Sequence, residues 1–145
     1  GKYHYDGHRK CHLCLTPDQT KAYGGKCPVC GKKITIGVEH RVEVLADRSE
    51  GYWDSSRKPF ENLMPLPEVI AEAMGYSSPG VKVQKEFHHM LRTLGTEFEI
   101  LRNVPMEDIQ SAAGTRIAEG ISRLRLGQVE RHPGFDGEYG TIRLF

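Results

Sequence analysis

Apolar positions fall into two regimes along this chain. From Pro67 onward they recur every three or four residues: Val83, Phe87, Met90, Leu91 and Leu94 share one helical face, and Ile117, Ile121 and Leu124 share another. That is the period of helices that bury a single stripe. The segment Pro67-Glu68-Val69-Ile70-Ala71-Glu72-Ala73-Met74-Gly75 can be laid over Met106-Glu107-Asp108-Ile109-Gln110-Ser111-Ala112-Ala113-Gly114. Each reads as a short helix stopped by a glycine and followed by a second helix. Between the two copies, Thr96-Glu97-Phe98-Glu99 has the form of a capping box and starts a short helix through Leu101.

Ahead of residue 48 the pattern is shorter and more broken. Residues 1–10 alternate aromatic or histidine with small and charged residues, as a strand does. Thr16-Pro17-Asp18-Gln19 is a helix start, and the helix should stop at Gly24-Gly25. Lys32-Lys33-Ile34-Thr35-Ile36 alternates like a strand. Val38, Val42 and Leu45 then return at helical spacing and predict a helix over 37–47 that caps this first region. Residues 48–64 hold no sustained period and read as a linker carrying Trp53 and Phe60, the first the chain's only tryptophan. At the end, two short strands flank P-G-F-D-G-E-Y-G, where Asp136 and Glu138 are expected to be solvated turn residues.

All four cysteines lie in the first region, as Cys11-x-x-Cys14 and Cys27-x-x-Cys30. Two such pairs twelve residues apart match a four-thiolate structural zinc site, each pair holding the metal from one tight turn. In the second pair Pro28 restricts the backbone, and Gly31 frees it to aim N–H groups at sulfur. Paired disulfides or a redox couple are the alternatives, and His8, His12 or His40 lies close enough to replace a cysteine. A catalytic cluster of His4, Asp6 and His8 is a further alternative, but Asp6-Gly7 interrupts the face they would share. These readings predict an α+β chain. Residues 1–47 form a zinc-binding module, 48–64 a linker, 65–127 a helical domain with two helix-hairpin-helix-like units, and 128–145 a C-terminal β-hairpin.

Charge sharpens this only in its distribution. The net charge is +1, yet residues 1–45 hold eight Lys/Arg against four Asp/Glu, whereas residues 65–145 hold nine against eleven. Lys32 and Lys33 beside the second cysteine pair are therefore candidate phosphate contacts, with simple solvation the equal alternative. In the helical part, Gly114-Thr115-Arg116-Ile117-Ala118 has the glycine-led helix start of a helix-hairpin-helix, where exposed N–H groups and a nearby cation grip a nucleic-acid backbone. Gly114, Thr115, Arg116 and, in the looser first copy, Lys82 are its candidate contacts; Ala113 stands where a second hairpin glycine is usual, and a plain helical bundle with capping glycines is the alternative that the acidic balance supports. No apolar run is long enough to span a bilayer, and no export signal opens the chain, so the expected location is cytoplasmic. A start on Gly1 with no initiator methionine suggests a piece of a longer polypeptide or a processed product.

The opening G-K-Y-H-Y-D-G-H-R-K-C, the knuckle C-P-V-C-G-K-K-I-T-I-G-V-E-H-R-V-E, the helix P-L-P-E-V-I-A-E-A-M-G and the ending P-G-F-D-G-E-Y-G-T-I-R-L-F together resemble the C-terminal half of the endonuclease Q family. These prokaryotic DNA repair enzymes have relatives often labelled PHP-domain or UvrD-helicase-like proteins. The resemblance implies that a PHP phosphoesterase domain, absent here, carries catalytic metals and cuts 5′ of deoxyuridine, deoxyinosine or abasic sites. It also implies that Cys11, Cys14, Cys27 and Cys30 hold zinc, that DNA is the partner, and that no catalytic residue lies in these residues. No Walker A motif supports a helicase activity. The competing reading is a protein-interaction or structural zinc module of a larger DNA-processing protein.

Overall fold

The computed structural model describes residues 1–145 as an α+β chain with seven α-helices and two small two-stranded sheets. It divides into two compact units, one of residues 1–58 with 131–142 and the other of residues 59–130 with 143–145. The segment expected to form a separate C-terminal hairpin is thus shared between them. No helix is long and apolar enough to cross a membrane.

In the first unit, β1 (Asp6–His8) pairs antiparallel with β2 (Leu13–Leu15), matching Asp6 with Leu15, Gly7 with Cys14 and His8 with Leu13. A 3-10 turn over Arg9–Cys11 joins them, closed by His12 in the left-handed region at φ 48°. The helix α1 (Pro17–Ala22) starts with a reciprocal capping box between Thr16 and Gln19. Residues 32–36, expected as a strand, contribute only isolated bridges, Lys33 to Lys26 and Thr35 to Gly7. The buried apolar set is small: Leu15, Cys27 and Ile34, with Cys11 and Leu13 packed against them. A core this size is too little to hold a unit of 70 residues without another staple.

The helix α2 (Val38–Leu45) forms where the apolar spacing placed it but faces the opposite way. Its polar side turns inward, where His40 meets Asp6, Glu43 meets Lys21 and Glu39 meets His4. Val38, Val42 and Leu45 are 59, 54 and 64 % exposed. The expectation that this apolar stripe caps the module is corrected by the way the helix is anchored. The three N–H groups at its start are taken by the Asp6 carboxylate (Gly37 N–H, 2.7 Å), the Tyr3 carbonyl and the His4 carbonyl. A buried carboxylate at the positive end of a helix fixes its rotation by hydrogen bonds before apolar contact can.

In the second unit, α3 (Leu66–Met74) and α4 (Val81–Leu94) form one helical pair, α6 (Met106–Ala113) and α7 (Thr115–Arg125) the other, and α5 (Glu97–Arg102) connects them. Packing runs within each pair and, across pairs, from α3 to α7 and from α4 to α6. The four helices thus touch in a closed ring, α3 to α4 to α6 to α7 and back to α3. Leu66, Val69, Ile70, Val83, Met90, Ile100, Ile109 and Ile121 fill the core. Two distant side chains satisfy helix ends. Glu97 accepts the Leu66 N–H at 2.7 Å, and the Arg125 guanidinium donates to the carbonyls of Ile100, Leu101 and Val104 at the close of α5. Thr96 accepts the Glu99 N–H, but the Glu99 carboxylate takes Asn103 instead of closing the box. The sheet of β3 (Glu130–His132) and β4 (Thr141–Arg143) closes the chain.

Candidate metal centre and basic surfaces

The knuckle at residues 27–31 has the local geometry expected of a thiolate turn. The Gly31 N–H bonds the Cys27 carbonyl at 2.8 Å, the Cys27 N–H bonds the Lys32 carbonyl at 2.7 Å, and Gly31 takes φ 71°, which glycine alone adopts without strain. Burial opposes ionisation of the Cys27 thiol. The N–H groups of Cys30 and Val29 directed at its sulfur outweigh that and bring it down to about 7. Cys11 is pushed up to about 11, by burial first and then by Cys30 and Cys27.

Four ligand atoms converge here, from His8, Cys11, Cys27 and Cys30, all within 4.8 Å of one another. The His8 Nδ1 lies 3.4 Å from the Cys30 sulfur. An edge of about 3.5 Å is what a tetrahedral ion with bonds of roughly 2.0 Å to nitrogen and 2.3 Å to sulfur requires. The cluster could hold a metal ion, and one histidine with three cysteines is an established zinc donor set.

Cys14 lies outside this group. Directly paired residues of an antiparallel ladder project to the same side, so β2 sends Leu13 and Leu15 to the side of His8 and Asp6, and Cys14 to the side of Gly7. Its thiol is pushed up by burial and by the neighbouring Asp6. The signal for His8 was nonetheless present: His8-Arg9-Lys10-Cys11 has the same i, i+3 spacing as Cys27 to Cys30. The alternative trio disperses, with His4 stacked on Tyr5 and Asp6 committed to α2.

The candidate backbone contacts fall in both units. Lys32 and Lys33 are exposed beside the knuckle. Lys82 donates to the Tyr76 hydroxyl at 3.1 Å and sits over its ring. Gly114 precedes α7, Thr115 accepts from Gln110, and the Arg116 guanidinium lies 3.3 Å over the Phe145 ring and 3.6 Å from Glu119. A cleft of about 530 Å³ at the end of α7 is lined by Arg123 and Arg143. Both are engaged, Arg123 with Glu119 and the Leu144 carbonyl, Arg143 with Glu72. The first unit holds twelve Lys/Arg against nine Asp/Glu, the second eight against ten. Asp136 and Glu138, expected in solvent, instead meet Arg9: Asp136 accepts its N–H at 2.6 Å and Glu138 lies 3.6 Å from its guanidinium.

Comparison with known proteins gives this arrangement a context. Residues 65–128 match the family described as the MJ0043 C-terminal domain. The chain is 35 % identical over 142 residues to the uncharacterized protein MJ0043 of Methanocaldococcus jannaschii and 28 % identical over 146 residues to YqxK of Bacillus subtilis, spanning 18 % and 33 % of their lengths. Among solved structures it is similar to the lesion-specific endonuclease PfuEndoQ of Pyrococcus furiosus, with a TM-score of 0.84 and 34 % identity. It is equally similar to an endonuclease Q in complex with duplex DNA carrying an abasic lesion at the active site, with a TM-score of 0.81 and 35 % identity. Each match covers 99 % of this chain and 35 % of the endonuclease. The chain thus spans about a third of the length of the solved endonucleases it resembles and a third or less of the curated relatives.

Proposed function

We propose that this chain is the non-catalytic, DNA-holding portion of a repair endonuclease that cleaves 5′ of deaminated bases or abasic sites. The observation that carries the reading is the match along 99 % of the chain to a lesion-specific endonuclease. In this reading the cutting metals belong to a PHP-type domain elsewhere in a longer polypeptide. The zinc here is structural, held by His8, Cys11, Cys27 and Cys30, and it supplies the staple that the small core of the first unit needs. The two helical pairs act as helix-hairpin-helix units, whose glycine-led helix starts offer N–H groups to phosphate. Lys32 and Lys33 add point charges from the zinc unit.

Titrating the zinc-loaded chain against fluorescent duplexes with and without a deoxyuridine or abasic site tests this directly. Binding that weakens steeply with salt, and no strand cleavage, is the expected result. No binding to any duplex at low ionic strength would defeat it.

The outward stripe of Val38, Val42 and Leu45 favours a second reading, a surface that docks another part of a longer polypeptide. In that case chain lacking the docked part would bind it through α2 and leave DNA untouched.

A further inference from the structure

The turn at 133–140 and the opening segment are zipped together backbone to backbone. Gly134 O accepts the N–H groups of His4 and Tyr5, Gly140 N–H donates to Gly1 O, and Gly137 N–H donates to Lys2 O, all between 2.9 and 3.1 Å. The approach is so close that a Cβ on Gly134 would lie 2.0 Å from the Gly1 carbonyl oxygen, so no other residue fits there. Arg9, between the ligands His8 and Cys11, ties the same turn to the metal cluster through Asp136. The platform is therefore rigid, yet it displays two tyrosines that bury little. Tyr139 is 74 % exposed and Tyr3 47 %. The Lys2 ammonium lies 5.6 Å from the Tyr139 ring centre and 6.0 Å from that of Tyr3. Tyr3 Oη and Arg9 Nη1 flank Gly137, 3.5 and 3.8 Å from where its Cβ would sit. Glu138 offsets part of the Arg9 charge and leaves Lys2 as the principal cation.

We propose that the faces of Tyr139 and Tyr3, with Lys2 between them and Arg9 beside them, form a stacking site for unpaired nucleotides. Fixed aromatic faces interleaved with cations are what single-stranded nucleic acid binds without reading sequence: each base offers a π-face and each phosphate a charge. The surface belongs to the unit with the basic excess, +3 from twelve Lys/Arg against nine Asp/Glu. The inference rests on the DNA-binding reading above and narrows it to bases out of the duplex.

The test is fluorescence anisotropy of the zinc-loaded chain with a labelled short oligothymidylate and, separately, with an intact duplex. Tyr139→Ala should weaken oligothymidylate binding by on the order of tenfold while Tyr139→Phe, which keeps the ring, binds as wild type. Lys2→Ala should lower the salt slope by about 0.7. Unchanged melting and zinc content would show that the variants fold. Equal oligothymidylate affinity for wild type and Tyr139→Ala overturns the site. So does wild-type binding of duplex with none of the oligothymidylate, and in that case the DNA reading survives. If wild type binds neither probe, the DNA reading itself has failed and takes the site with it.

Discussion

Asp6 Oδ2 lies 2.6 Å from His40 Nδ1, and the other oxygen of the same fully buried carboxylate accepts the Gly37 N–H. This one side chain ties β1 to the start of α2 and explains why α2 keeps its apolar stripe outside. His40→Ala should destabilise the first unit by about 1–3 kcal/mol, the cost of leaving a buried acceptor short of a partner. Val42→Ser should change stability by less than about 0.5 kcal/mol, because the valine faces solvent. Urea melts of the two variants check the contrast; a Val42 cost larger than that of His40 would contradict the orientation of α2.

If an ion fills the cluster of His8, Cys11, Cys27 and Cys30, His8 is a ligand and Cys14 is not. Cys14→Ser should retain one zinc per chain. His8→Ala should weaken zinc by more than the roughly 10–100-fold that an outer-sphere partner costs, and His8→Cys should restore it. Chelator competition with a colorimetric zinc indicator reads all three.

Metal removal should act on one unit only. The first unit has three fully buried apolar residues and the second a core drawn from five helices. A strong chelator should therefore erase the tertiary amide signals of residues 1–47 and leave those of α3 to α7 in place, as followed by two-dimensional NMR. Acid should do the same, because protons compete for the thiolates and imidazole that hold the ion. Collapse of both units together would show that the helical core depends on the metal.

Arg125 closes α5 by donating to three carbonyls. Burial lowers its pKa, but a guanidinium stays charged. Arg125→Met keeps the aliphatic stem and strands those acceptors, so it should cost roughly 2–3 kcal/mol in the urea unfolding of the helical signal. A loss below about 0.5 kcal/mol would mean that water replaces the guanidinium freely.

Glu61 and Arg102 form a bidentate pair at 2.6 and 2.8 Å, and the guanidinium holds the Glu61 carboxyl below its ordinary 4.5. A carboxylate depressed on folding adds stability above its unfolded value, and that stability is lost as pH falls through the folded value. Wild type should therefore exceed Glu61→Gln in urea midpoint at neutral pH, with the gap closing as acid takes the solution below the carboxyl's ordinary 4.5 and through its depressed folded value. A gap that persists there would assign the effect to packing.

Local chemistry was legible in the residues. The 3.6-residue period placed α4 and α7, glycine stops ended α3 and α6, the Thr16 and Thr96 caps marked helix starts, and the cysteine spacing pointed to a cluster that could hold an ion. Each is settled within a few turns of chain, by side-chain periodicity or by a residue's own backbone preferences. What only the tertiary structure decided depends on register and rotation. The pairing of β1 with β2 puts His8, not Cys14, beside the other thiols, because a strand has two faces and the pairing decides which one meets the cluster. Hydrogen bonds accepted by Asp6 turn α2 over, a result that hydrophobic spacing alone predicts backwards. The turn around Asp136 joins the first unit because its backbone finds the open N–H and C=O groups of residues 1–5, partners more than a hundred residues away that no local pattern encodes.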